Sequence, residues 1–108
     1  MSSIRARVKL KNELAEVKVL IQHPMDTGLM KDSKTGEFIP AHFIKEVKCL
    51  HNGNIVLQSD WGIAISKNPY LSFEIDSAHV GDKIAIEWLD NLGKSDSKTI
   101  TISSKDVH

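Results

Sequence analysis

Val47-Lys48-Cys49-Leu50-His51-Asn52-Gly53-Asn54-Ile55-Val56-Leu57 sets an Asn-Gly pair between two apolar runs. A type I′ turn needs positive φ at both central residues, which asparagine tolerates and glycine adopts freely. This wording therefore predicts two antiparallel strands joined by a tight hairpin. The first runs from about Ala41 to His51 and the second from Asn54 to about Trp61. On the first, Phe43, Val47 and Cys49 fall on one face, although Lys45 and His51 share their parity.

The same period of two extends outward in both directions. Ile4, Ala6, Val8 and Leu10 oppose Arg5, Arg7 and Lys9, up to a break at Lys11-Asn12. Val17, Val19 and Ile21 oppose Glu16, Lys18 and Gln22, with Leu20 interrupting the polar side. Such alternation marks half-buried strands. Pro24 stops the second one, because proline cannot donate to a ladder and keeps His23 extended. Downstream, Tyr70 to Asp76, Lys83 to Leu89 and Ser97 to Ser103 read as further strands, separated by Val80-Gly81-Asp82 and Asp90-Asn91-Leu92-Gly93. No segment has a helical period. Seven short strands with turns between them predict an all-β, immunoglobulin-like antiparallel sandwich. A small barrel would give the same pattern. Residues 104–108 are expected to fray, as untethered chain ends do.

Composition narrows the function. The chain has 108 residues and reads as one domain spanning residues 1–108. Fourteen basic and fourteen acidic residues, well mixed, cancel to zero net charge, which gives no reason to expect nucleic acid or an anionic membrane as partner. No apolar run approaches the ~20 residues of a membrane span. Met1 to Val8 contains no apolar h-region, so no signal peptide is expected in the chain as it stands. Cys49 has no second cysteine to pair with.

Between the second and third strands lies a long polar loop, His23-Pro24-Met25-Asp26-Thr27-Gly28-Leu29-Met30-Lys31-Asp32 through Ile39-Pro40-Ala41-His42-Phe43-Ile44. Loops of this length in a small domain are functional or disordered, and the apolar Met25, Leu29, Met30, Phe38 and Ile39 argue for function. Met25, Leu29 and Met30 are candidates for partner contact, as adaptable side chains that also fill cores. Trp61-Gly62-Ile63-Ala64-Ile65 is a second apolar run where an exposed connection is expected. It reads either as an extra packed edge or as a docking patch, with Trp61, Ile63, Ile65, Asn68 and Tyr70 as the candidate contacts.

Catalytic chemistry is sparse. There is no phosphate loop, nucleophile elbow or carboxylate pair. His23 and His42 bracket the long loop and, with Asp26, could form a metal site, but their spacing matches no short ligand motif and structural histidines are the simpler reading. Cys49 reads as a buried, inert thiol. The expectation is a protein that binds and does not catalyse, with no cofactor. The alternative is a metal- or thiol-dependent redox enzyme using His23, His42 or Cys49.

Several blocks of wording carry a resemblance. His23-Pro24-Met25-Asp26-Thr27-Gly28-Leu29, Lys31-Asp32, Ile39-Pro40-Ala41-His42-Phe43-Ile44, Ser66-Lys67-Asn68-Pro69-Tyr70-Leu71-Ser72-Phe73 and Asp90-Asn91-Leu92-Gly93-Lys94-Ser95-Asp96 closely resemble the SoxZ family, in order and from about Arg5 to Ile102. The resemblance implies an immunoglobulin-like sandwich that heterodimerises with SoxY, the subunit bearing sulfur on a cysteine near its own flexible carboxyl end. It also implies transient docking of other sulfur-oxidation (Sox) enzymes. The implied location is the periplasm, reached by co-export with a signal-bearing SoxY. This chain has no Gly-Gly-Cys-Gly-Gly tail, so it resembles the SoxZ and not the SoxY partner, and Cys49, mid-strand and unable to swing, does not take the carrier role. Met30 stands where a basic residue is common in the family, and Ile63-Ala64-Ile65 is more apolar than expected; both fit a more hydrophobic partner contact.

Overall fold

Alternation becomes two facing sheets. The computed structural model describes residues 3–62, 65 and 67–107. Strands β1 (Ile4–Lys11), β2 (Leu14–Ile21) and β5 (Tyr70–Ile75) form one antiparallel sheet in the order β1-β2-β5. Strands β3 (Ile44–His51), β4 (Asn54–Asp60), β6 (Lys83–Asp90) and β7 (Ser95–Thr101) form the other, in the order β4-β3-β6-β7. This is the expected immunoglobulin-like sandwich, and the two separate sheets exclude the barrel. β4 lies beside β3, whereas the constant-type immunoglobulin arrangement places the fourth strand with the fifth.

The inward sets predicted from period two are the core. Ile4, Val8 and Leu10 of β1, Val17, Val19 and Ile21 of β2, Val47 and Cys49 of β3, and Ile84, Ile86 and Trp88 of β6 are all buried. Burying each such aliphatic side chain contributes roughly 1.5–3 kcal/mol, and this packing holds the sheets together without a disulfide.

Turn chemistry sets the registers. Asn52 and Gly53 have φ of 50° and 85°, both positive as the Asn-Gly signal predicts. Asn12 and Glu13 do the same job between β1 and β2, with φ of 50° and 66°; with no glycine present, that turn is not advertised in the sequence. Strand ends differ from expectation where side chains compete for the backbone. Ala41–Phe43 do not join β3, because His42 exchanges backbone hydrogen bonds with Asp26, and the Phe43 N–H donates to Asn91 Oδ1. Residues 104–107 do not fray as expected; His108 lies outside the described residues. Ser104–Asp106 form a 3₁₀ turn held by a reciprocal capping box between Ser103 and Asp106, and Val107 bridges back to Leu10.

At the β3–β4 end, Asp82 clamps three elements. Its Oδ2 accepts from His51 Nε2 at 2.7 Å and from the His79 N–H at 2.9 Å. The hydrogen bond from His51, then those from the His79 backbone and the Asn52 side chain, hold the Asp82 carboxyl down from 3.8 to about 2. A carboxyl depressed in the folded state adds stability that is present above its unfolded pKa and is lost as pH falls through the folded one. Asp82→Asn is expected to flatten stability between pH 3.8 and about 2, read by urea unfolding at stepped pH. An unchanged acid limb would contradict the clamp.

Candidate functional site

The long loop leaves β2 at Ile21 and must return to β3 at Ile44, at one end of the sandwich. Three polar side chains hold its two ends there. Asp90, the last residue of β6, is 1% exposed. Its Oδ2 accepts from His42 Nε2 at 2.7 Å and from His23 Nε2 at 3.3 Å, while its Oδ1 accepts the N–H groups of Leu92 and Lys94. Burial pushes the Asp90 pKa up, but hydrogen bonds from His42, Lys94, His23 and Leu92 outweigh it and leave the carboxyl below its usual range. Next to it, Asn91 receives the Phe43 N–H on its Oδ1 and donates Nδ2 to the Ala41 carbonyl. The β6–β7 turn thus grips both ends of the loop.

His23 is 4% exposed, and desolvation is the largest influence on it, lowering its pKa so that it is neutral at pH 7. Its Nδ1 accepts the Met25 N–H at 3.1 Å. A backbone N–H can only donate, so the proton of this neutral ring sits on Nε2 and points at Asp90. His42 and Trp88 meet the His23 ring edge-on, with centroids at 4.5 and 5.2 Å.

One ligand atom each from His23, His42 and Asp90 lies within 4.8 Å of the other two, a spacing that a shared metal ion could span. The proton count opposes that use. To bind metal through Nε2, His23 would have to move its proton to Nδ1, directly against the Met25 N–H. Asp90 is also fully engaged by four donors. The cluster is a hydrogen-bonded lock, and the carboxylate in it is Asp90. Asp26 bridges His42 through its backbone, and its carboxylate acts on His23 through its charge.

The loop beyond the lock exposes apolar side chains along its stem and polar ones at its tip. Ile39 N–H donates to the Met30 carbonyl, and Lys31 bridges Phe38, so the loop closes as a small hairpin with the Lys31 ammonium 5.3 Å from the centre of the Phe38 ring. Asp32 builds the turn by accepting from the Lys34 N–H at 2.7 Å. Leu29 is 76% exposed, Met30 61% and Phe38 61%; Leu92, on the gripping β6–β7 turn, is 56% exposed.

The other candidate contacts separate. Met25 is a correction: it is 5% exposed, its Sδ takes the Ile44 N–H at 3.3 Å, and it belongs to the core. Its positive φ of 51° turns it inward under the lock. Trp61 and Ile65 are partly buried against the core, so that connection is in part a packed edge. Ile63 lies outside the described residues. Asn68 is structural in its contacts: its Oδ1 accepts the His23 N–H and its own N–H donates to the His23 carbonyl. Tyr70 is exposed. Phe38 counts among the apolar residues of the loop but not among the candidate contacts; Leu92, Asp90 and Asn91 read only as a hairpin turn, where the apolar Leu92 is the available signal.

Cys49 is fully buried, and desolvation pushes its thiol up to about 12. A thiol held protonated is neither nucleophile nor ligand. In native protein at pH 8, Cys49 is expected to resist a disulfide-exchange reagent and to react with one equivalent once unfolded. Fast native labelling would restore the thiol-enzyme alternative.

Residues 4–101 match the family model described as "Sulphur oxidation protein SoxZ". No individually curated protein matches the chain.

Proposed function

Because this chain belongs to the SoxZ family of sulphur oxidation proteins, we propose that it is the non-catalytic half of a two-subunit carrier and pairs with SoxY, whose own cysteine bears the sulfur. The observation that carries this reading is an exposed apolar patch, formed by the stem of the loop hairpin and the β6–β7 turn, on a rigid base. Leu29, Met30, Phe38 and Leu92 are each more than half exposed at the end where Asp90 and Asn91 fix the backbone. Anchors held in place before binding lose less conformational freedom on association, so their burial is converted more fully into affinity. The loop alone is smaller than the ~800 Å² per side of a standard interface, so the contact extends onto neighbouring surface.

The inert Cys49 and the hydrogen-bonded histidines support a subunit that gives surface and leaves sulfur chemistry to its partner. A periplasmic location, reached together with a signal-bearing SoxY, belongs to the same reading. The test is to incubate the assembled pair with thiosulfate and the sulfur-oxidation enzymes and to weigh both chains intact. Sulfur adducts are expected on SoxY and none on this chain. An adduct at Cys49 overturns the division of labour.

A further inference from the structure

The outer face of the β1-β2-β5 sheet concentrates charge in a molecule whose net charge is zero. Register lays that face out in rows: Arg5–Leu20–Tyr70, Arg7–Lys18–Ser72 and Lys9–Glu16–Glu74. β1 turns Arg5, Arg7, Lys9 and Lys11 outward along a sheet edge, all four exposed. Among the described residues, none of these four makes an ion pair, whereas Lys18 reaches Glu16 at 3.3 Å. The outer face of the other sheet is mixed, with Glu46, Asp60 and Glu87 beside Lys48 and Lys83.

A charged edge strand also keeps other strands from adding to a sheet, which is the simpler account of such a row. Two features exceed it. Arg7 stands directly across from Lys18, and like charges in that position destabilise a strand pair. In addition, a shallow concavity of 420 Å³ lies among Arg5, Arg7, Lys18, Leu20, Tyr70 and Lys98. Its apolar floor includes the half-buried Leu20 and Tyr70 at 61% exposure. Arginine and tyrosine around a small apolar floor are the side chains that carry binding energy at protein interfaces.

We propose that this face is the docking surface for an acidic protein partner that binds and leaves: the sulfur-oxidation enzymes that visit the carrier. This rests on the carrier reading above. A protein fits better than a nucleic acid or an anionic membrane, because Glu16 and Glu74 in the third row would meet phosphates of like charge. Screened, solvent-exposed cations raise the rate of encounter more than the lifetime of a complex, which suits a visiting enzyme. The row Arg5–Leu20–Tyr70 also adjoins Ile21, where β2 leaves for the loop, so a visitor here lies beside the end assigned to SoxY.

The experiment uses this chain paired with SoxY and measures association of each purified sulfur-oxidation enzyme at low and high salt, with pairing to SoxY confirmed first. Arg5→Glu/Arg7→Glu is expected to slow association of at least one enzyme by about tenfold or more at low salt, with the difference vanishing at high salt. Pairing with SoxY stays intact, and Arg7→Glu alone raises the melting temperature because a favourable pair replaces a repulsive one. Failure of the unmodified chain to pair with SoxY overturns the carrier reading and this one with it. Normal pairing with unchanged association overturns the docking face alone. Loss of pairing in the double variant assigns the face to the SoxY interface and overturns the proposal. Competition by millimolar sulfate or thiosulfate that leaves the salt effect absent makes it a small-anion site and overturns it too.

Discussion

Asp90→Ala lowers the unfolding free energy by about 3–5 kcal/mol, the scale for removing one partner from a buried charged network. Four donors converge on this carboxylate: two ring nitrogens and two backbone N–H groups. Alanine leaves all four without an acceptor at a position 1% exposed to water. Of a total stability of about 5–15 kcal/mol, this is a large share. Asp90→Asn costs less, about 2 kcal/mol, because the amide oxygen still serves the turn N–H groups. It does not become neutral, because the asparagine NH₂ then faces His23 Nε2–H, whose tautomer the Met25 N–H pins. Urea unfolding followed by Trp88 fluorescence checks both values, since Trp88 lies edge-on to His23. A cost below about 1 kcal/mol for alanine would show that the lock does not hold the loop.

The second large effect is on binding and not on folding. Leu29→Glu/Met30→Glu/Phe38→Glu weakens pairing with SoxY by about 100-fold or more, the loss expected when a cluster of interface anchors is replaced by charge. The melting temperature changes little, because all three side chains are more than 60% exposed in the isolated chain and contribute no core packing. The lost contact between Lys31 and the Phe38 ring is worth only about 0.5–1 kcal/mol at an exposed site. Calorimetric titration of SoxY into wild type and variant separates the outcomes. Undiminished affinity would move the interface away from the apolar stem of the loop.

Strand positions were legible because period two and turn residues are local. Asn52-Gly53 named its hairpin, and Ile84, Ile86 and Trp88 named the core face of β6. The lock was only half legible. His23 and His42 stand at the two ends of an unusual loop, which drew attention to them. Their acceptor, Asp90, is 67 and 48 residues further along and sits in what reads as an ordinary hairpin turn. Only the pairing of β3 with β6 brings it under the loop, and no local spacing encodes that; Asp26, the nearby carboxylate, was the wrong partner for that reason. Met25 misled through chemistry that serves core and interface alike, and its burial follows from a positive φ that no residue type announces. The cations of β1 were visible as the outward half of the alternation. Their meaning came from register, which sets Arg7 against Lys18 and gathers Arg5 with Leu20 and Tyr70.

The central claim is that this chain supplies a surface on which a sulfur-bearing subunit is held. Sedimentation velocity of an equimolar mixture with SoxY at micromolar concentration tests it most directly. One boundary at the mass of a one-to-one pair is predicted; two boundaries, each at the position of its separate chain, would contradict the account.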